Sequence, residues 1–476
     1  MISCITRVVD RNGYATVYEY DANGNRTAVH YANGFTTTYD YDLLNRLIKQ
    51  ETVDIDGEIV VQYIYTLGVA GERKSVTELD RAVEYSYDSL YRLTSETITE
   101  GEKVTVYTYA YDNVSNRILK TENGAATEYV YNALNQLVSD SNTSYEYDLN
   151  GNLVRVIGTA NSALYEYNAE NKLIKATVQN GVLVTEESYT YDYAGNRTSK
   201  TTHKSNGEFE HTKYLNDNSS LTNVLAEIDE NGTVKCVYTI GADLVSQERD
   251  GKVSVYLYDG HGSVVGLANE NGIVTNTYSY DAFGNLLKST GSTKNCYRYC
   301  GEQFDETTGL YYLRSRYMDT TTGRFISQDT YQGNTNDPVS LHKYLYANAN
   351  PVMYSDPSGY ISSESTTAVA ETTIIIFYAI PVLGASVTQM QNDKATVKEG
   401  TKLIRLLKGI GTLFSYSAIW GFAIGTMVSD VISGENTSLD TSDDIKNKII
   451  NDSLENTQKM TNNLRKHCII IQMIVG

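Results

Sequence analysis

The sequence predicts a mainly β protein in which antiparallel hairpins stack into one extended sheet, followed by a chemically different, helical C-terminal segment. Three observations predict it. The 476 residues include 41 Tyr against 8 Phe and one Trp, with 35 Gly and only 4 Pro. Tyrosine is a strand former with a polar tip, and glycine supplies turns. A Tyr-Asp motif recurs through the first 300 residues, and composition then changes near residue 360. Only Tyr378 and Tyr416 lie beyond that point.

Charge divides in the same place. Of 39 Lys and Arg and 58 Asp and Glu, residues 361–476 hold 10 and 11, which leaves 29 and 47, net −18, for residues 1–360. Such an acidic wall repels phosphate backbones, so the first part is not expected to bind nucleic acid. The absence of strand–helix alternation argues against an α/β enzyme.

The repeat unit is Tyr-Asp or Tyr-Asn, two or three variable residues, then Gly or Asn followed by Asn or Arg. It reads Tyr20-Asp21-Ala-Asn-Gly24-Asn25-Arg26 and Tyr41-Asp42-Leu-Leu-Asn45-Arg46-Leu47, with further copies at Tyr87, Tyr111, Tyr131, Tyr147, Tyr167, Tyr191 and Tyr280. Between Tyr41 and Tyr87 the pattern decays. Before each Asp the chain alternates, as in Thr16-Val-Tyr18-Glu-Tyr20, which places the tyrosines on one face of a strand. The Asp carboxylate can accept backbone N–H groups of a turn, and Gly24 supplies the positive φ of the reversal. One hairpin cannot bury a tyrosine face, so the repeats must stack, with ladders of Tyr along the sheet. These repeat carboxylates are therefore structural.

Five cysteines (Cys4, Cys236, Cys296, Cys300, Cys468) are too few and odd in number for a disulfide framework. Cys296 and Cys300 are expected on one face of a strand, as structural residues. No metal or other cofactor is expected.

Repeated Tyr-Asp…Gly-Asn-Arg units resemble the YD/RHS repeats of bacterial rearrangement-hotspot proteins and teneurins. Residues 301–360 strengthen the resemblance: Gly309-Leu-Tyr-Tyr312, Arg316-Tyr317, Gly323-Arg-Phe-Ile-Ser327, Tyr344…Asn350-Pro351 and Asp356-Pro-Ser-Gly359 look like the RHS-repeat-associated core. The resemblance implies a spiralling β-hairpin shell over 1–300, a core plug over 301–360, and a variable effector over 361–476. Such shells enclose and release a C-terminal toxin, with a secreted or cell-surface location and an immunity protein as an expected partner. The repeats are fewer than family shells use, so a partial shell is expected. The N-terminus lacks the apolar run of a signal peptide, so export is expected to be signal-independent or the chain to be the C-terminal piece of a longer one.

The resemblance also implies chemistry. Asp329 and Asp356 are similar to an aspartyl autoprotease pair, with Gly359–Tyr360 as the scissile bond. Two carboxylates sharing one proton can supply a general base for water and an acid for the substrate. Arg324 is expected to orient a carboxylate, and Asp337 is a weaker substitute for Asp329. Thr330 stands where the family has Pro, and Tyr360 where Leu or His is commoner. The competing reading makes both Asp residues turn caps. Tyr317 and Tyr344 are expected to pack.

The tail carries two uncharged stretches of 21 residues, 372–392 and 409–429, each long enough to cross a bilayer as a helix. The second contains Gly421-Phe-Ala-Ile-Gly425, and a polar amphipathic helix is expected from Thr441 to Lys466. Membrane insertion competes with a buried soluble helix pair. Three functions compete: a shell with a membrane-active tail, a shell with a tRNA-cleaving nuclease tail, or a surface adhesin whose tyrosine faces stack on sugars. The tail holds one histidine, His467.

Overall fold

The computed structural model describes residues 5–364 apart from 160, 218 and 220. The predicted helical tail, with both apolar stretches and the helix from Thr441, lies outside the described residues. Among the described residues no helix is long and apolar enough to cross a membrane.

From Arg7–Val9 to Leu286–Thr290, 27 strands form one sheet. Each pairs antiparallel with the next, as the short connections require. The local physics is visible in the first full repeat. Asp21 Oδ1 accepts the N–H groups of Asn23 and Asn25 at 2.8 and 2.9 Å, and Oδ2 accepts the Asn25 side-chain amide at 2.8 Å. Gly24 has φ +88°, and where glycine is missing Asn45, Asn135 or Asn171 takes the left-handed position. The ladder slips between Glu19 and Tyr20, and again before Tyr41, Tyr87, Tyr111 and Tyr131. That bulge is the signature of a turn closed by a left-handed residue.

The tyrosine before each Asp performs a second task. Its hydroxyl donates to a main-chain carbonyl of the preceding repeat: Tyr41 to Arg26, Tyr87 to Arg73, Tyr111 to Leu93, Tyr167 to Leu153 and Tyr280 to Val264, at 2.6–3.0 Å. Two sequence expectations change here. The stretch between Tyr41 and Tyr87 is not a gap, because strands Leu47–Val53, Ile59–Leu67 and Arg73–Thr77 continue the sheet with other turn residues. Tyr258-Asp259 is a further copy, hidden by its Gly-His-Gly turn, and it makes the same hydroxyl bond to Leu244. The tyrosine ladder is also interrupted. Tyr63 and Tyr65 stack at 6.2 Å, but guanidinium groups also lie on the rings, Arg26 on Tyr39 at 4.7 Å and Arg73 on this same Tyr65 at 4.5 Å.

The wall coils. Arg26 pairs with Asp243 at 2.5 Å, Gln50 donates to Tyr258 O at 2.6 Å, Arg81 to Tyr280 O at 2.9 Å, and Glu96 accepts the Ala282 N–H at 3.0 Å. Both partners advance together along the chain, as successive turns of a spiral do.

Residues 303–325 form a separate four-stranded sheet inside this wall: Gln303–Asp305, Leu310–Leu313, Arg316–Asp319 and Arg324–Phe325. Period-two alternation sorts its side chains. Tyr311, Leu313, Met318 and Phe325 pack with Tyr256, Leu267 and Tyr280, whereas Leu310, Tyr312, Tyr317 and Ile326 pack with Leu153, Tyr165 and Tyr189. The plug is thus a two-faced wedge. It is pinned by a buried ion pair, Arg197 Nη1 to Asp305 Oδ2 at 2.5 Å, with Lys200 on the other oxygen at 2.9 Å.

The cysteine expectation needs correction. Cys300 lies in a short 3-10 turn with φ +52° and Cys296 in irregular chain before it, so neither sits in a strand. The bend arises because the chain turns there to enter the plug. Burial pushes the thiol of Cys236 up to about 12 and that of Cys296 up to about 11, which makes both poor nucleophiles.

Candidate active site

Asp329 and Asp356 lie 27 positions apart in the chain, and one arginine joins them. Arg316 Nη2 stands 2.9 Å from Asp329 Oδ2 and 3.3 Å from Asp356 Oδ2. The same guanidinium donates through Nη1 to Lys343 O at 3.1 Å and through Nε to the carbonyl oxygen of Gly359. Its flat face rests on the Phe325 ring, 3.6 Å from the centroid. One side chain therefore touches both carboxylates and the carbonyl of the expected scissile bond.

Each group is held by local structure. The Asp329 N–H donates to Lys343 O at 2.9 Å, closing the base of the loop between them, and Oδ1 accepts the Tyr331 N–H at 2.8 Å. Asp356 opens a turn closed by the Gly359 N–H on its carbonyl. Its Oδ1 accepts the N–H groups of Tyr360 and Ile361 at 3.0 and 3.1 Å and the Ser358 hydroxyl at 3.1 Å. Gly359 has φ +70°, and a Cβ there would overlap the Leu313 carbonyl oxygen, so the position needs glycine. Beside it, Arg314 donates to Pro357 O at 2.6 Å and to Glu302 at 2.9 Å, fixing the turn from the other side.

Asp356 is 1% exposed, Asp329 8% and Arg316 5%. Burial pushes both carboxyls above their ordinary values, and Arg316 opposes this. Burial also lowers Arg316, against the pull of the two carboxylates. One proton shared between two acids next to one cation leaves the trio neutral, the least costly state for buried charge.

Three expectations fare differently. Arg324 is not beside the carboxylates: it donates to Asn116 Oδ1 at 3.0 Å and to Asn135 O, with its guanidinium over Tyr131. It ties the plug to the wall, because successive strand residues point to opposite faces and its face meets the hairpin turns. Asp337 lies in the exposed loop, before the turn Pro338–Leu341. Tyr317 and Tyr344 are buried, at 4% and 1% exposure, as packing residues. Sequence reasoning missed Arg316. Its signal was a pair of guanidinium groups, Arg314 and Arg316, in an otherwise apolar run, where burial demands anionic or carbonyl partners.

Tyr18, Tyr39, Tyr107, Tyr165 and Tyr256 are at most 7% exposed, so these repeat tyrosines pack within the wall.

Comparison with known proteins agrees with this architecture. The teneurin YD-shell family matches residues 69–352, and the RHS repeat matches residues 5–36. The tRNA3(Ser)-specific nuclease WapA of Bacillus spizizenii is 39% identical over 222 residues, covering 46% of this chain and 9% of that protein. The tRNA nuclease WapA of Bacillus subtilis strain 168 is 37% identical over the same length and coverage. The chain thus spans about a tenth of the length of these relatives. The crystal structure of TcdB2-TccC3-Cdc42 aligns with TM-score 0.40 and 19% identity over 73% of this chain and 21% of that one. With its paired Tyr-Asp hairpins and its YD-shell match over more than half its length, this chain belongs to the teneurin YD-shell family.

Proposed function

We propose that this YD-shell protein carries its own C-terminal segment and severs it once, by hydrolysing the Gly359–Tyr360 bond. Asp329 acts as base on a water molecule, and the resulting hydroxide attacks the Gly359 carbonyl carbon. Arg316 Nε meets the charge developing on the carbonyl oxygen. Asp356, already against the Tyr360 nitrogen, protonates it as the carbon–nitrogen bond breaks. No metal is needed, and each chain reacts a single time. The observation that carries this reading is Arg316 joining Asp329, Asp356 and the Gly359 oxygen in one contact set.

The test is the mass of the purified chain. A break between 359 and 360 that disappears in Asp329→Asn and Asp356→Asn supports the dyad; an intact wild-type chain refutes it.

The severed segment is the effector of a polymorphic toxin, acting outside the producing cell and countered there by an immunity protein. Its two uncharged stretches support a membrane-active role at 372–392 and 409–429. The names of the Bacillus relatives favour a tRNA nuclease instead. Dye leakage from liposomes and degradation of tRNA by the cut full-length protein separate the two.

A further inference from the structure

We infer that the cleavage site is also a binding site for the chain ends it creates, specifically for the α-ammonium of a peptide beginning at Tyr360. This capture rests on the self-cleavage reading and concerns the chain once it has been cut. Hydrolysis adds one water across the bond: its oxygen joins Gly359 to give a carboxylate, and the Tyr360 nitrogen leaves as an ammonium. Each new charge forms beside its opposite. The Gly359 oxygen already receives Arg316 Nε. The Tyr360 nitrogen lies 3.0 Å from Asp356 Oδ1 and 3.1 Å from Ser358 Oγ, so two acceptors await an ammonium that has three hydrogens to give.

The residues after the cut are held independently of it. The Ile361 N–H also donates to Asp356 Oδ1, at 3.1 Å. Beyond it, Ser363–Glu364 pairs antiparallel with Tyr354–Ser355, so a strand from the severed side is hydrogen-bonded to a strand from the shell side. Adding a strand to a sheet edge is an established mode of peptide capture. The pairing spans the scissile bond and does not require it to be intact. An ion pair in a site where Asp356 is 1% exposed is little screened by salt. Cutting therefore converts a covalent tether into a salt-bridged, strand-paired one. It also explains a single turnover: the products keep the site.

The test uses the purified, self-cut full-length protein and an amine-selective acetylating reagent at neutral pH, with labelling of the Tyr360 amine read by mass spectrometry. The Tyr360 amine is expected to react at least about tenfold more slowly than the amine of the free peptide Tyr-Ile-Ser-Ser, and to match it once the protein is unfolded. In Ser363→Pro, which disturbs the strand pair outside the cutting groups, the amine is expected to label faster than in the wild-type chain. A cut protein whose Tyr360 amine reacts as the free peptide does overturns product capture while leaving self-cleavage intact. A chain that is never cut overturns both.

Discussion

The carboxylate of Asp356 accepts the N–H of Tyr360 at 3.0 Å, across the bond that the chain is expected to break. A carboxylate is thereby held against the Tyr360 nitrogen by a turn within the chain itself. The arrangement is local, four residues apart, and its consequence depends on Arg316 arriving from another strand.

Replacing Arg316 tests that dependence. Arg316→Gln is expected to slow the appearance of the 359/360 break by about 100-fold or more, the effect of losing one donor to a developing oxyanion. Arg324→Gln removes a wall contact instead, and is expected to lower thermal stability with a smaller effect on the cut. Intact mass against time, paired with melting curves, distinguishes them. Equal loss of cutting in both would deny Arg316 a special role.

Gly359 has its own test. With φ +70° and no room for a Cβ against the Leu313 carbonyl, Gly359→Ala must shift the scissile carbonyl off Arg316. The strain costs about 1–3 kcal/mol, relieved most readily by moving the turn. The expected outcome is a folded, uncut chain by circular dichroism and mass. Normal cutting would show that the turn tolerates the side chain.

Two neighbouring tyrosines should respond in opposite ways. Tyr111 donates its hydroxyl to Leu93 O at 2.7 Å, whereas the buried hydroxyl of Tyr109 has no hydrogen-bond partner among the described residues. Tyr111→Phe is expected to cost about 1 kcal/mol, and Tyr109→Phe to be neutral or stabilising. Urea unfolding of the two variants side by side measures the difference.

The plug anchor is a buried ion pair, so breaking one side should hurt more than removing both. Arg197→Met leaves Asp305 with Lys200 alone and is expected to cost about 3 kcal/mol. Arg197→Met combined with Asp305→Leu is expected to recover part of that loss. Melting temperatures of single and double variants decide it.

Stability should fall as the solution becomes alkaline. Burial pushes Glu78 up to about 7, and burial together with Asp281 pushes Glu96 up to about 8. Both folded-state values lie above the ordinary 4.5, so the stability these groups contribute is fully present below it and is lost as pH rises through 7 and 8. The melting temperature is expected to drop between about pH 4.5 and about pH 8, and Glu96→Gln to flatten that drop. An unchanged slope in the variant would exclude Glu96 as the titrating group.

Much of the shell was legible in the residues because its physics is short-ranged. A carboxylate reaching amides two and four positions ahead, a left-handed residue at the reversal, and period-two burial of tyrosine all operate within one hairpin. The Tyr258 copy escaped because its turn uses Gly-His-Gly, and strands Ile59–Leu67 and Arg73–Thr77 escaped because the turns before them lack the Tyr-Asp signature. Asp329 and Asp356 were legible as a pair only through the resemblance to the RHS-repeat-associated core, since local physics alone reads both as turn caps. What the sequence did not specify is which guanidinium they meet. Arg324 sits closer to Asp329 in the chain than Arg316 does, yet strand alternation turns it to the wall, and the plug hairpin delivers Arg316 to both acids. The pairing of Arg26 with Asp243 belongs to the same class. Contacts across 200 residues depend on twist accumulated over many strands, a quantity no single hairpin encodes, so hairpin chemistry is set by sequence and the meeting of distant charges only by the coiled wall.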